Sequence, residues 1–180
     1  MQDVSRNPVI RPVRRGELAE VIALVADAFG PFEKALPAHI FEPYLKDARD
    51  FAERWEEANV VAIEQDGQFV GTVTYYKDAT CEGMGWPSGM AGLRTLAVAP
   101  SAQSRGYGRA PCEWCIARAR QEGAEGLALH TAAFMSAACK LYEGLSFQRR
   151  DLNDLLASEV LGFDPLLGDQ KIIAYVLPLR

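Results

Sequence analysis

The stretch from Leu96 to Ala110, LAVAPSAQSRGYGRA, constrains this chain more than any other. Small apolar residues meet a proline, then a polar turn, then Gly-Tyr-Gly between Arg105 and Arg109. A strand handed to a helix through glycines calls for a mixed α/β fold, and it leaves backbone N–H groups free at the helix start. Those groups, together with the helix dipole, bind phosphate. Glycine lets the backbone approach such an anion closely.

The rest of the chain is organised around this handover. Val9-Ile10 and Val13, within the stretch from Asn7 to Val13, read as a short strand. Leu18, Val21, Ile22, Val25 and Phe29 fall at helical spacing, and Gly30-Pro31 ends that helix. Phe32 to Glu57 is expected to form one or two more helices. Asn59–Glu64 and Gln68–Tyr76 read as strands joined by Asp66-Gly67, the strongest hairpin signal in the chain. Lys77 to Gly89 reads as a loop and Ala91 to Val98 as the fourth strand. A helix is expected from Tyr107 to Glu122, a strand over Gly126–His130, a helix over Ser136–Glu143 and a strand over Phe147–Asp151. Asn153 to Gln170 is a long connection, and Lys171 to Leu177 closes as the last strand. At 180 residues the expectation is a single domain, 1–180.

Three phosphate-binding templates can be tested against the handover. A P-loop needs Gly-Lys-Ser/Thr, which does not occur. A dinucleotide fingerprint needs a third glycine where Pro111 stands, and it follows the first strand of a βαβ unit, whereas a meander precedes this one. The third fits. Gln103-x-x-Gly106-x-Gly108 matches the Q/R-x-x-G-x-G/A signature, with L-A-V-x-P upstream and LHTAAFMSAACKLYEGLSF downstream. In this the chain resembles the GNAT superfamily of acyl-CoA-dependent N-acetyltransferases. The resemblance implies a twisted, mostly antiparallel sheet of about seven strands flanked by helices and splayed between strands four and five. It also implies acetyl-CoA as co-substrate and acetyl transfer to a primary amine by direct attack in a ternary complex. Backbone groups of Leu96, Ala97 and Val98 would pair with the pantetheine arm and the thioester carbonyl. Gln103 belongs to the signature, and the amides of Ser104, Arg105, Gly106, Tyr107, Gly108 and Arg109 would cradle the pyrophosphate. Tyr142 matches the tyrosine that protonates the departing thiolate. A phenol of pKa ~10 is a competent acid toward a thiolate near ~8.5.

The chain departs from the family at four places. Ser146 stands where Gly-Phe is common, so a left-handed backbone there would be mildly strained. Pro111 is expected to delay or distort the helix start. Met135 replaces an asparagine that touches the cofactor in many members. Arg94 stands where the family often places a glutamate for the base. Glu64, Asp78 and Glu82 are then alternatives for the base, with His130 at the end of the short strand as another. Of Tyr75 and Tyr76, on opposite faces of strand three, one is expected to face the acceptor and the other the core. Trp114 and Cys115 are expected to pack the helix on the sheet.

Composition excludes several classes. With 19 Lys and Arg against 24 Asp and Glu, the net charge of -5 leaves no basic surplus for nucleic acid. No run approaches ~18 apolar residues, and the first residues carry no apolar core of signal-peptide length, so a cytoplasmic protein is expected. Cys112-x-x-Cys115 lacks a second pair or a suitably spaced histidine, so no metal is expected. The long connection carries Asp154, Glu159, Asp164 and Asp169 and no basic residue, with Glu33, Glu42, Asp47 and Asp50 on the facing wall. These acids would favour a small cationic amine; they could equally be solvated acids beside an apolar homodimer seam of Leu155, Leu156, Leu161 and Phe163. The alternatives to an enzyme are a non-catalytic acyl-CoA-binding module on the same fold and a structural dimerisation domain.

Overall fold

Asp66 and Gly67 both take positive φ, 51° and 79°, which closes a tight two-residue turn between β2, Ala58–Gln65, and β3, Gln68–Tyr76. The computed structural model describes residues 8–180, so Asn7 lies outside the described residues. β1, Val9–Pro12, pairs antiparallel with β2, and β3 pairs antiparallel with β4, Met90–Val98. Four more strands complete one sheet: β5, Gly126–Ala132; β6, Gln148–Arg149; β7, Leu155–Leu156; and β8, Lys171–Pro178. The order is β1-β2-β3-β4-β5-β8-β6, with β7 also on β8. All contacts are antiparallel except β4–β5. This is the mostly antiparallel, split sheet that the resemblance implies, with eight strands rather than about seven; the extra one is a two-residue strand inside the long connection.

Helices cover both faces. α1, Leu18–Phe29, buries Val21, Leu24, Val25, Ala28 and Phe29 against β3 and β4. The aromatic region beyond it forms α2, Ala38–Arg49, and the four-residue α3, Phe51–Arg54, capped by the Asp50 side chain accepting from the Glu53 N–H at 3.2 Å. α4, Arg109–Gln121, crosses from β4 to β5 and buries Cys112, Cys115 and Ile116 in the main core with Val61, Tyr75, Leu93 and Leu127. Burial pushes the Cys112 thiol up to about 12, so this pair is packing material. Trp114 meets Tyr75 edge-on at 5.9 Å. α5, Ser136–Gly144, follows β5, and α6, Ala157–Leu161, lies in the long connection.

α4 starts at Arg109, two residues after the expected Tyr107, but Pro111 lies inside it and does not distort it. It is the third residue of α4, where the N–H has no intrahelical acceptor, so no backbone bond is lost. Ser146 does take the left-handed conformation, at φ 68°, and closes the turn after α5. The sixth strand is shorter than Phe147–Asp151, because the chain turns into a 3-10 helix at Asp151. The proposed dimer seam is mostly turned inward. Leu155 pairs with Ile172, Leu161 lines a cavity and Phe163 packs near Ile40 and Phe41, while Leu156 alone of the four is 44% exposed. No described helix is long and apolar enough to cross a membrane.

Candidate active site

The parallel ladder between β4 and β5 stops at Leu93 and Leu129. Beyond it, β4 stays with β3 and β5 stays with β8, and the sheet opens. At the same point β4 bulges. Thr95 takes φ 51°, and the register slips between Thr72 and Thr74. After the bulge the Ala99 N–H bonds the Val70 carbonyl, and Ala97 pairs with Thr72. Antiparallel alternation then turns the N–H and C=O of Val98 into the opening.

One side of the opening is a groove of about 510 Å³ lined by Leu96, Ala97, Val98, Gln103, Ser104, Gly106, Tyr107, Gly108 and Arg109, with α5 residues opposite. Of the ten residues expected here, Arg105 is the exception: it is exposed and outside the lining. Ser104 and Gly106 take φ 63° and 84°, which turns successive amides around the start of α4. The Arg109 N–H is used within the turn, bonding the Gly106 carbonyl at 3.0 Å. Gly108 caps the helix. A Cβ there would meet Leu141 Cδ2 at 3.3 Å, so a side chain at 108 intrudes on the groove wall. Gln103 donates to the Val98 carbonyl at 3.3 Å.

The other side is an inner cavity of about 140 Å³, reached from Leu96, Ala138 and Tyr142 and walled by α1, α2, α6 and β8. Tyr142 is 4% exposed and packs on Phe147 and Tyr175. Burial raises its hydroxyl well above the ordinary phenol range, so the proton stays on oxygen at every working pH. Among the alternatives for a base, the structure separates the candidates. Glu64 is paired with Arg11 at 2.7 Å, away from the opening. Asp78 is exposed and caps the 3-10 turn Ala79–Glu82 through the Thr80 N–H at 2.9 Å. His130 Nε2 lies 2.8 Å from the Asn153 carbonyl, which only accepts, so Nε2 carries the hydrogen. Its ring stacks on Trp86 and burial lowers its pKa, so it is a neutral group tying β5 to the turn after β6.

Two candidates line the inner cavity with a buried polar atom that has no hydrogen-bond partner among the described residues, His130 through Nδ1 and Glu82 through Oε1, and Glu82 is the one that carries a carboxylate. The 3-10 turn ends at Gly83, φ 66°, and swings Glu82 back against β4. Its Oε1 is buried without a hydrogen-bond partner among the described residues. A Cβ built on Gly92 would overlap that oxygen, so glycine makes the notch that holds it. Desolvation raises the carboxyl to about 8, against the pull of Arg94 and Arg54. Beside it, Arg94 meets Asp47 at 2.6 Å, and Arg54 reaches Asp47 at 3.5 Å and Thr95 Oγ1 at 3.3 Å. Tyr76 lines an outer groove of about 560 Å³ that shares Glu82 with the inner cavity, while Tyr75 sits in the core with its hydroxyl donating to Glu122. The sequence offered Glu82 without preference, because nothing in a glycine-rich loop marks which residue folds inward.

The acids expected to select a cation are largely committed elsewhere. Asp154 pairs with Arg149 and Lys171, each at 2.9 Å. Asp164 caps the turn at Leu166, Asp169 accepts from the Ser158 N–H, and Glu159 accepts from the Leu156 N–H.

A bulged strand, a split parallel ladder and a glycine-turned helix start are the features that the resemblance to the GNAT acetyltransferases implies. The chain belongs to the GNAT family: the sequence model of the acetyltransferase (GNAT) family matches residues 20–147. Solved structures agree on the fold. An N-acetyltransferase from Staphylococcus aureus Mu50 superposes with a TM-score of 0.69 at 19% identity, covering 97% of this chain and 100% of that one. The ribosomal-protein-S18-alanine N-acetyltransferase of Escherichia coli gives 0.64 at 21% identity, covering 96% and 94%. The PaiA N-acetyltransferase of Thermoplasma acidophilum, solved with coenzyme A, gives 0.68 at 12% identity, covering 94% and 98%. A comparison with curated proteins finds no sequence match.

Proposed function

We propose that this protein transfers an acetyl group from acetyl-CoA to a primary amine, by direct attack in a ternary complex. The observation that carries this reading is the placement of Tyr142 and Glu82 on one cavity at the mouth of the split ladder. The pyrophosphate lies at the start of α4, against the amides of residues 104–108, and the pantetheine arm runs along Val98. The acetyl carbonyl sits at the bulge, where backbone N–H groups stabilise the oxyanion.

The acceptor arrives as an ammonium, and Glu82 takes its first proton. The freed nitrogen attacks the thioester carbon; the N–C bond forms and the C–S bond breaks. Tyr142 gives its proton to the departing sulfur, and the second proton shed by the nitrogen restores the phenol. One proton per turnover leaves for solvent by way of Glu82. The burial that holds the proton on Tyr142 also raises the proton affinity of a thiolate leaving into the same cavity, which keeps donor and acceptor matched. No cysteine is needed as nucleophile: Cys112 and Cys115 lie in the core.

The test is release of free coenzyme A from acetyl-CoA in the presence of an amine panel. Amine-dependent release supports the reading. Binding of acetyl-CoA without release under any amine overturns it in favour of a carrier module.

A further inference from the structure

We infer that the acceptor is a primary amine borne on a compact apolar skeleton, with no second charged group. This rests on the acetyl-transfer reading of the same site and names its substrate class.

The first argument is a count of charges on the inner cavity wall. Four formally charged side chains line it: Asp47, Glu82, Arg94 and Lys171. Asp47 is held by Arg94 at 2.6 Å, and Lys171 by Asp154 at 2.9 Å. Glu82 makes no ion pair among the described residues. The wall therefore has room for one ammonium. A second ammonium in the cavity would find no unpaired carboxylate, and a carboxylate would find Arg94 already occupied. Burying either charge unpaired is costly.

The second argument is shape. The rest of the lining is largely apolar, with Leu36, Ile40 and Ile172 on the inner cavity alone and Phe29 and Phe134 shared with the groove at the start of α4. Its volume of about 140 Å³ compares with the roughly 150 Å³ of an apolar cavity that holds a benzene ring. A branched chain of about five carbons, or a small ring, matches that volume, whereas a long polyamine exceeds it and would have to leave the inner cavity. The outer groove is different. Glu53 and Glu57 are exposed on its rim, where carboxylates steer an incoming cation more than they hold it. They bring the ammonium in, and the inner cavity selects what it carries.

The experiment compares matched pairs by kcat/KM on the full chain. 3-Methylbutylamine is set against leucine, which adds a carboxylate to that skeleton. Pentylamine is set against 1,5-diaminopentane, which adds an ammonium. The expectation is at least tenfold preference for the apolar member of each pair. Equal or reversed preference in either pair overturns the inference. The same pairs are ranked by calorimetric binding to protein saturated with coenzyme A. That ranking decides the class even if no amine turns over, in which case the acetyl-transfer reading alone falls. Ile40→Trp fills part of the cavity, and the ratio of kcat/KM for 3-methylbutylamine over ethylamine should drop about tenfold; an unchanged ratio overturns the cavity as the selecting element. If that variant fails to fold, Leu36→Phe makes the same comparison.

Discussion

At Glu82 the environment sets both the chemistry and a cost. The unfolded chain releases this proton near pH 4.5, whereas the folded site holds it to about 8. Between those values the folded state binds more protons than the unfolded one, so stability falls as pH rises and the loss is complete above about 8. Glu82→Gln carries no such charge. Chemical denaturation should find it more stable than the parent above pH 8 and equal to it below pH 4. Its kinetics should move the other way: kcat/KM of the parent rises with pH to a plateau above about 8, and the variant should lose that limb together with ~10²-fold of its rate. A parent profile flat from pH 6 to 9 would remove Glu82 from the base role. Tyr142→Phe keeps the packing on Phe147 and Tyr175 and loses the donor. It should cost kcat ~10²-fold with acetyl-CoA affinity nearly unchanged. At this scale the sequence was uneven. Tyr142 and the Gln103–Arg109 turn were legible because they sit at fixed spacing in continuous segments. Glu82 was only one of several acids, because its buried position depends on Gly92, ten residues away on another element, leaving a space.

At the scale of elements, the bulge in β4 has a brace. Thr95 is not glycine yet sits at φ 51°, a conformation that costs a non-glycine residue roughly 1–2 kcal/mol. Arg54, 7% exposed at the end of α3, holds Thr95 Oγ1 at 3.3 Å while also donating to the Asp47 carbonyl at 2.6 Å. Arg54→Ala should lower stability by about 1–3 kcal/mol in urea unfolding, and it should lower kcat more than it raises the KM for acetyl-CoA. Adding Thr95→Gly should restore part of the stability, since glycine takes that φ unaided. If the double variant is weaker than Arg54→Ala by the full cost of a lost threonine, the brace is not what Arg54 supplies. The strand–helix order was readable because α1 and β2 to β5 carry clear periodicity and the Asp66-Gly67 turn fixes a register. The connection after Asn153 was not. Its elements are two to five residues long, too short for any period, and they are set by caps from Asp164, Asp169 and Glu159. That is why acids read there as a charged entrance turn out to be structural.

For the molecule as a whole, binding and folding are linked through the start of α4. The chain is acidic overall, at -5, yet the groove at the start of α4, where we propose acetyl-CoA binds, presents turned amides and a helix N-terminus. Acetyl-CoA at a hundredfold excess over Kd should stabilise the fold by ~2.7 kcal/mol, or roughly 5–10 °C in Tm for a domain of this size. Gly108→Asp adds a like charge and crowds Leu141, and it should abolish the shift. A shift that persists in that variant would place the cofactor elsewhere.

The split between β4 and β5 has a further consequence. A strand with unpaired backbone groups is ordinarily a hazard, because a neighbouring chain can add to it and seed aggregation. Here the open edge of Leu96 to Val98 lies inside the sheet, at the bottom of a wedge whose other wall is α5. With Ala137, Ala138 and Leu141 of α5 standing opposite, that edge is not a free flank for another chain to extend. The fold thus keeps a sticky edge permanently available while excluding other proteins from it, and the shape of the wedge does the excluding without any charged residue on the strand edge itself.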